Sequence, residues 1–427
     1  MSKLIPKGSF YGWIALAGAM LVYFAGTGNI FYVWGVLWPP MAVEFGWSRA
    51  TFGGAFSLFM LLFGAPGPLI GASIVRFGPR ANIIVGNAIA ALGLAALFFT
   101  SEPWHLYLFY GVFVGVGNGF GMFAATTTIA NNWFIRRRSL AMGLTVAAGG
   151  LGGLAFPPLI ALLTSITGWR DVWVVLAFTH LVLAVIVGGL FLIRNKPEDL
   201  GQLPDGVAAE AVENLEAAPP RVYQTPVDWE TGQAMRRLAT WLLVIFGAAN
   251  MFALNIMNVH QVVHLEDIGF SPLVAATALG LLPGMSIVGR LGFGAVAQRI
   301  EPRYLAALCL ALQVVAVTIL LNARVLPLIY LYAIIFGISY GGLIVAAPTL
   351  LGAYYGRARY AQILGWMLPI TTAAGAIGGL LAGAIHDATN TYMLAFIIVI
   401  AFSAVGMVCA FLARPPKPPS QPAERLF

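Results

Sequence analysis

The sequence predicts an all-α membrane protein with twelve transmembrane helices arranged as two six-helix pseudo-repeats. Three observations carry that prediction. Of 427 residues, 60% are hydrophobic and only 9% charged, against roughly 25% charged in a soluble globular protein. A water-soluble chain of this length cannot hide that much apolar surface, whereas a bilayer accepts spans of about 20 consecutive apolar residues. Runs of that kind recur twelve times, and motifs of the first six return in the last six.

In chain order the predicted helices cover 11–38, 51–73, 82–100, 105–130, 139–164, 172–193, 238–262, 272–297, 304–322, 327–350, 361–385 and 391–413. Helix 1 follows Lys3 and Lys7. Its apolar run outlasts the core of a secretory signal and shows no small-residue cleavage site, so it reads as a retained span. Helix 4 holds Gly115, Gly117, Gly119 and Gly121 around Asn118. No strand precedes these glycines, so a dinucleotide loop fails its context test, and close helix approach explains them better. Between helices 6 and 7 lies the one long polar segment, Arg194 to Arg237, rich in Pro, Ala and Glu. With little to bury, it reads as a linker. The expected organisation is an N-terminal bundle (1–193), a linker (194–237), a C-terminal bundle (238–413) and a tail (414–427).

The repeat is visible in charged loop positions. Gly71, Arg76, Pro79 and Arg80 recur as Gly294, Arg299, Pro302 and Arg303 at one constant offset. Tyr110, Gly115, Gly119, Ala124, Ala125 and Thr127 match Tyr332, Gly337, Gly341, Ala346, Ala347 and Thr349 at nearly the same offset. Parallel six-helix repeats are a transporter signature, with the substrate site at their interface near the midplane.

Orientation follows from the excess of Lys and Arg in cytoplasmic segments. All but four of the 23 basic residues fall in one set of loops and tails; Arg49, Arg170 and Arg324 form the opposite set, and Arg290 belongs to neither. Both termini and the linker are therefore expected in the cytoplasm, at the plasma membrane. The net charge of +7 sits in these short loops and implies no nucleic-acid partner. Cys309 and Cys409 fall inside apolar runs and read as packing residues, with no disulfide framework. Metal-ligand clusters, phosphate-cradling loops and soluble domains are absent from the sequence. No catalytic residue, metal or cofactor is expected, and the chain is not read as an enzyme or an ATP-driven pump.

Arg290 is the centre of the functional reading. It lies nine residues before Arg299, about 13 Å along a helix at 1.5 Å per residue. An arginine at that depth costs roughly 2.5–3.5 kcal/mol on insertion scales and is tolerated where it faces a cavity or a partner. Every Asp and Glu falls in a loop, a terminus or a helix end, so no intramembrane carboxylate pairs with it. A guanidinium fork suits a carboxylate ligand; the alternative is a structural arginine bonded to backbone carbonyls. Helix 11 adds no second cation between Met367 and Thr372, which favours a monoanion.

Other polar groups stand near it in sequence or alone in apolar runs. Ser286, one turn before Arg290, either meets a substrate or bonds back to its own helix. Pro283 and Gly284 can kink helix 8. Asn118, Asn255 and Tyr340 are isolated polar groups that face a substrate or another helix. His260, about 28 Å up helix 7 from Trp241, either accepts a coupling proton or is interfacial. His180 in helix 6 reads as structural.

The loop Gly71–Arg80 resembles the cytoplasmic loop motif of the major facilitator superfamily. Lys7-Gly8-Ser9-Phe10-Tyr11-Gly12-Trp13 and Trp133-Phe134-Ile135-Arg136-Arg137-Arg138-Ser139-Leu140-Ala141-Met142-Gly143 resemble the helix 1 entry and helix 5 signature of monocarboxylate transporters. Glu44–Arg49 is similar to bacterial members of that group and to oxalate/formate antiporters. The resemblance implies the major facilitator fold, a functional monomer, gating loops at Gly71, Arg76, Arg80, Gly294, Arg299 and Arg303, and a substrate arginine at Arg290. It also implies departures. Val75 and Gln298 replace the acid of the gating loop, so a latch built on that acid must be built differently. Tyr32 and Ser286 stand where better-known relatives place a helix 1 lysine and a helix 8 aspartate. Tyr32 thereby becomes a substrate candidate, and the usual proton-handling acid is missing.

The expected function is secondary transport of a small organic monoanion, a lactate- or pyruvate-like monocarboxylate, by alternating access with proton symport or anion exchange. Export or antiport of other organic anions or drugs, and a non-transporting transceptor, are the alternatives, because fold does not fix function.

Overall fold

A computed structural model describes residues 10–206 and 222–419. Lys3, Lys7, Arg221, Arg425 and the Lys7–Ser9 part of the entry motif lie outside the described residues. Among the described residues there is no strand. The long helices are α1 (Gly12–Phe45), α2 (Arg49–Gly64 and, after a 47° bend, Gly67–Phe77), α3 (Pro79–Phe99), α4 (Pro103–Trp133), α5 (Arg138–Thr167), α6 (Trp169–Leu192), α7 (Leu238–Asp267), α8 (Pro272–Val296), α9 (Pro302–Asn322), α10 (Leu326–Tyr355), α11 (Tyr360–Thr389) and α12 (Met393–Leu412). Eleven are long and apolar enough to cross a bilayer as single helices, and the bent α2 gives a twelfth. Their outer surfaces keep Leu69, Leu92, Phe178, Leu380 and Phe411 exposed, as lipid-facing positions require.

Local chemistry sets the helix ends. Ser48 and Ser271 cap α2 and α8 by accepting the Thr51 and Val274 N–H groups at 3.3 and 3.4 Å. Pro79, Pro103, Pro272 and Pro302 open helices at the first helical position, where the missing N–H costs nothing. Several helices depart from a uniform rod, among them α4 and α6, with π-helical segments at Tyr107–Val114 and Leu181–Leu192. The α2 bend falls at Ala65–Pro66, between Gly64 and Gly67, where proline interrupts the hydrogen-bond ladder. In α1 the segment Thr27–Tyr32 is a π-helix, a wider turn that recurs at functional sites. Pro283 lies inside α8, which continues as one helix on both sides of it.

The repeat is geometric as well as sequential. Arg80 donates to the Gly189 and Leu190 carbonyls at the end of α6, at 3.1 and 2.8 Å. Arg303 donates to the Phe411 carbonyl at the end of α12, at 3.3 Å. Each arginine ties the start of its third helix to the end of its sixth.

Three apolar clusters show where the halves join. One is confined to the first six helices and includes Trp34, Tyr110 and Trp173. A second is confined to the last six and includes Phe252, Tyr332 and Phe396. The third draws on both halves and on the linker, with Trp133, Phe134, Trp229, Tyr354, Tyr360 and Met367. It sits at the face that carries the linker and the described chain ends, here called the terminal face. Toward the opposite face, Gly35 on α1, Gly53 on α2, and Gly280 and Gly284 on α8 have open space where a side chain would stand. The apolar cluster shared by both halves thus lies at one face, and the other two clusters each stay within one half.

The linker corrects one expectation. It was read as having little to bury, but Val222 and Trp229 are buried. The Trp229 ring meets Tyr355 edge-on at 5.5 Å, and Thr225 and Trp229 donate backbone N–H groups to the Ala353 and Tyr355 carbonyls at 2.8 and 3.2 Å. The linker carboxylates cap two corresponding loops. Asp205 accepts the Ile135 and Arg136 N–H groups at 3.0 and 2.8 Å before α5. Asp228 accepts the Arg357 and Ala358 N–H groups at 2.6 and 3.1 Å before α11.

Candidate functional site

Two seams close the terminal face, and both are made of backbone-to-backbone approach. Between α5 and α8, a Cβ on Gly143 would stand 2.7 Å from the Arg290 carbonyl oxygen, and one on Gly294 would stand 2.8 Å from that of Ser139. Between α2 and α11, a Cβ on Gly71 would stand 2.5 Å from the Ala361 carbonyl oxygen, and Gly365 is pressed against the Gly67 carbonyl. Those separations admit glycine alone without a shift of the helices. Gly71 and Gly294 thus do their work by closeness, and the arginines of the same motif work elsewhere. Arg76 lies 5.1 Å over the Phe77 ring, Arg80 and Arg303 anchor helix ends, and Arg299 is exposed.

Charged pairing between the halves falls to the linker and the α10–α11 loop. Arg357 donates to the Asn132 carbonyl at 2.9 Å and to the Glu198 carboxylate at 2.8 Å. Arg138, 3% exposed, donates to the Gln224 amide oxygen at 2.6 Å. Each arginine reaches a group carried by the other half or by the linker end docked on it.

Arg290 lies at the inner end of the α5–α8 seam, 2% exposed. Its Nη1 donates to the Val146 carbonyl of α5 at 2.8 Å, and its Nη2 donates to the Tyr340 hydroxyl of α10 at 3.1 Å. The Tyr340 ring lies 5.6 Å from the guanidinium carbon. Tyr340, Tyr32 and Tyr23 are the hydroxyls that face its charge. Two of five guanidinium donors are therefore bonded to neutral acceptors, and the buried Nε has no partner. Among the described residues no Asp or Glu forms an ion pair with it. The result is a desolvated cation with idle donors where both halves meet, electrostatically prepared for an anion.

The other sequence candidates separate into those the fold brings to Arg290 and those it does not. Tyr340 and Tyr32 come to it, Tyr32 from the π segment of α1 with its ring against Gly153 of α5. Ser286 is adjacent on α8 but its hydroxyl donates to the Pro283 carbonyl at 2.7 Å. Of its two expected roles, the bond back to its own helix is the one seen, and with that proton used a carboxylate, which only accepts, finds no free donor there. Asn118 is fully buried beside Gly26 of α1 with both amide atoms unpaired, and Asn255 lies against Gly375 and Gly379 of α11. Neither is a hydrogen-bond partner of Arg290.

His260 joins a cluster at the far end of α7. Its Nε2 meets the Gly379 carbonyl at 2.9 Å and its Nδ1 meets the Tyr392 hydroxyl at 3.3 Å. Around the same tyrosine stand His264, with ring centroids 6.1 Å apart, and His386, stacked at 4.3 Å and paired with Asp267 at 3.4 Å. His180 is fully buried, with Nε2 3.0 Å from the Asn87 amide oxygen, in keeping with a structural role.

Sequence reasoning missed Tyr23, Asn29, Gly150 and Gly153. Tyr23 reads as one more aromatic in an apolar run, and the glycines acquire meaning only from what crosses them. Asn29, fully buried and unpaired in the π segment, carries the same lone-polar signal that singled out Asn118.

Comparison with known proteins places this geometry. A model of the Major Facilitator Superfamily matches residues 19–323 and again 265–426. Monocarboxylate transporter 13 of Rattus norvegicus is 27% identical over 362 residues, covering 84% of this chain and 78% of the relative. Monocarboxylate transporter 4 of Gallus gallus is 26% identical over 398 residues, covering 92% and 80%. Among solved structures, the transporter FucP in the outward conformation aligns with TM-score 0.71 at 15% identity, over 95% of this chain and 99% of that one. The proton:xylose symporter XylE aligns with TM-score 0.72 at 13% identity, over 94% and 95%; at such identities the likeness concerns the fold alone. With twelve apolar helices in repeated sixes and a family match along nearly its whole length, the chain belongs to the Major Facilitator Superfamily, a family of membrane transporters.

Proposed function

We propose that this transporter carries a small monocarboxylate of the lactate or pyruvate type across the plasma membrane, with Arg290 as the anion anchor. The observation that carries the reading is a buried guanidinium bonded only to a backbone carbonyl and a tyrosine hydroxyl. A single cation without a neighbouring acid suits one carboxylate, and the tyrosines of α1 and α10 give it small, partly polar walls. The kinship with monocarboxylate transporters supports the substrate class. Tyr32 and Tyr340 are the proposed wall residues, Asn118 and Asn255 more distant ones, and the terminal face is the cytoplasmic one. The substrate acts on a monomer made of two six-helix bundles joined by the linker.

Coupling has three routes in this reading. His260 carries a proton, the acid enters neutral, or the carrier exchanges anions. The test is uptake of labelled monocarboxylates, dicarboxylates and neutral analogues by proteoliposomes, with and without a proton gradient. Saturable uptake confined to monocarboxylates is the expected result; preference for a dicarboxylate or a neutral solute overturns it. Reporter fusions after Arg194 and at Ala388 should read cytoplasmic and external, and a reversed sign at either breaks the orientation.

A further inference from the structure

The floor beneath Arg290 is one turn of α5 without side chains. In the run Gly149-Gly150-Leu151-Gly152-Gly153, the glycines face two ways. Gly149 and Gly152 pack on α1: a Cβ on Gly149 would stand 2.6 Å from the Tyr23 ring, and one on Gly152 would press on the Phe24 carbonyl. Gly150 and Gly153 face the site. A Cβ on Gly150 would stand 3.1 Å from the Arg290 Nη1 and 2.6 Å from the Ile287 side chain, and one on Gly153 would enter the Tyr32 ring. Three residues, about 4.5 Å along the helix axis, therefore separate the contact with the guanidinium from the contact with the tyrosine.

That spacing has a chemical consequence. The guanidinium uses one Nη1 donor on Val146, and its buried Nε is unpartnered, so an incoming carboxylate has donors to meet on this side of the site. With its head there, an acid whose carbon chain runs along α5 passes Gly150 and meets the Tyr32 ring over Gly153. The length and branching it can have depend on where Ile287 and Tyr32, which fill the space above the two glycines, can stand. This inference rests on the monocarboxylate reading above and adds what that reading lacks, the residues that choose among carboxylates.

We propose that Gly150 and Gly153 of α5 determine substrate specificity: Gly150 positions the Arg290 guanidinium, and Gly153 sets, through Tyr32, how large an acyl chain is admitted. A methyl at 150 displaces the guanidinium and weakens every carboxylate alike. A methyl at 153 pushes the Tyr32 ring toward the substrate and discriminates by size.

The test compares wild type, Gly150→Ala, Gly153→Ala, Gly152→Ala and Arg290→Ala in proteoliposomes, each checked for monodispersity and thermal unfolding in detergent. The probes are formate, acetate, lactate, pyruvate and a branched-chain 2-oxo acid, with KM and maximal rate measured for each. Gly150→Ala should raise KM at least fivefold for all five acids with little change in their ranking. Gly153→Ala should leave formate and acetate within twofold and weaken the branched acid at least tenfold. Gly152→Ala, which meets only α1, should lower thermal stability without altering the ranking. Should Gly153→Ala not be recovered folded, Tyr32→Phe and Tyr32→Ala replace it: the smaller residue must widen the range toward the branched acid. Loss of uptake in Arg290→Ala together with an unchanged KM profile in both Gly150→Ala and Gly153→Ala overturns the specificity proposal alone. Wild-type uptake in Arg290→Ala overturns the anchor on which it rests, and the proposal falls with it.

Discussion

In the seam between α2 and α11, Gly67 and Gly71 of one helix meet Gly365 and Ala361 of the other. In the seam between α5 and α8, the residues at the repeat-related places are Arg290, Gly294, Gly143 and Ser139. The backbone plan is one plan used twice, with Gly71 and Gly365 matched by Gly294 and Gly143, and its largest divergence is where one repeat has Gly67 and the other Arg290. The divergence is compensated across the seam. Gly64 of α2 faces the large Thr372 of α11, whereas Ile287 of α8 faces Gly150 of α5. The helix carrying the exception also differs in its course: α2 breaks at Pro66, while α8 runs unbroken through Arg290. An intact helix holds a functional side chain more rigidly than a broken one. The comparison teaches that closure is a property of the repeat, and that the buried arginine distinguishes one copy of it from the other.

The largest expected effect breaks the comparison at its point of difference. Arg290→Ala should lower carboxylate uptake at least a hundredfold while the purified protein stays folded, because the guanidinium has no structural ion pair to lose. Arg290→Lys should recover little, since an ammonium keeps the charge without the planar fork. Uptake kinetics beside a thermal-unfolding scan check both. Normal uptake by the alanine variant would remove the anion site from α8.

The next effect tests what the seams share. Gly294→Val and Gly71→Val each place a branched side chain against a backbone carbonyl, at a cost of about 1–3 kcal/mol for overpacking. If the seams are equivalent closures, both variants should weaken closure at the terminal face to a similar degree. Alkylation of a cysteine introduced at Ser139 or Ala361 should rise several-fold in either. A response in one seam with none in the other would end the equivalence.

A smaller effect concerns the charged latch. Arg357→Ala removes the bonds to Asn132 and Glu198, but the Arg357 and Glu198 side chains are 28% and 37% exposed, and pairs of that kind contribute about 1 kcal/mol or less. The closed population should fall by no more than about fivefold, and less at high salt. The same alkylation assay reads it, and a loss as large as that of the seam variants would make charge the principal closure.

How much of this was legible in the sequence depends on whether a residue's role is set by its own helix or by another. Arg290 announced itself, since a lone cation in an apolar run is costly wherever the neighbours lie. The Gly71 and Gly294 loops announced themselves by repetition. The Ser286 hydroxyl did not reveal its partner, because the choice between a substrate and the Pro283 carbonyl is one of side-chain rotamer, which spacing in the sequence does not fix. Gly150 and Gly153 were silent, since an absent side chain is informative only once Arg290 and Tyr32 are known to cross it. The linker misled because Val222 and Trp229 are scattered apolar residues in a polar segment, and their docking surface, Tyr355 and its neighbours, lies more than a hundred residues away.

The smallest expected effect is that of His260, and it follows from the other end of the comparison, the absence of any acid beside Arg290. The Gly379 carbonyl can only accept, so the His260 Nε2 at 2.9 Å must carry the proton, and Nδ1 then accepts from the Tyr392 hydroxyl. Both ring nitrogens have a partner in the neutral form. The substrate is then the better compensator of the Arg290 charge. An empty site must carry that charge through the apolar core with only Val146 and Tyr340 as partners, whereas a bound monoanion cancels it. Loaded carriers should therefore reorient faster than empty ones, and substrate on the far side should accelerate exchange several-fold over net uptake. His260→Gln keeps a donor for Gly379 and should change neither exchange nor gradient-driven accumulation by more than about twofold. Loss of accumulation in that variant with exchange preserved would place the coupling proton on the histidine; equal rates of exchange and net uptake would show that the empty arginine crosses without penalty.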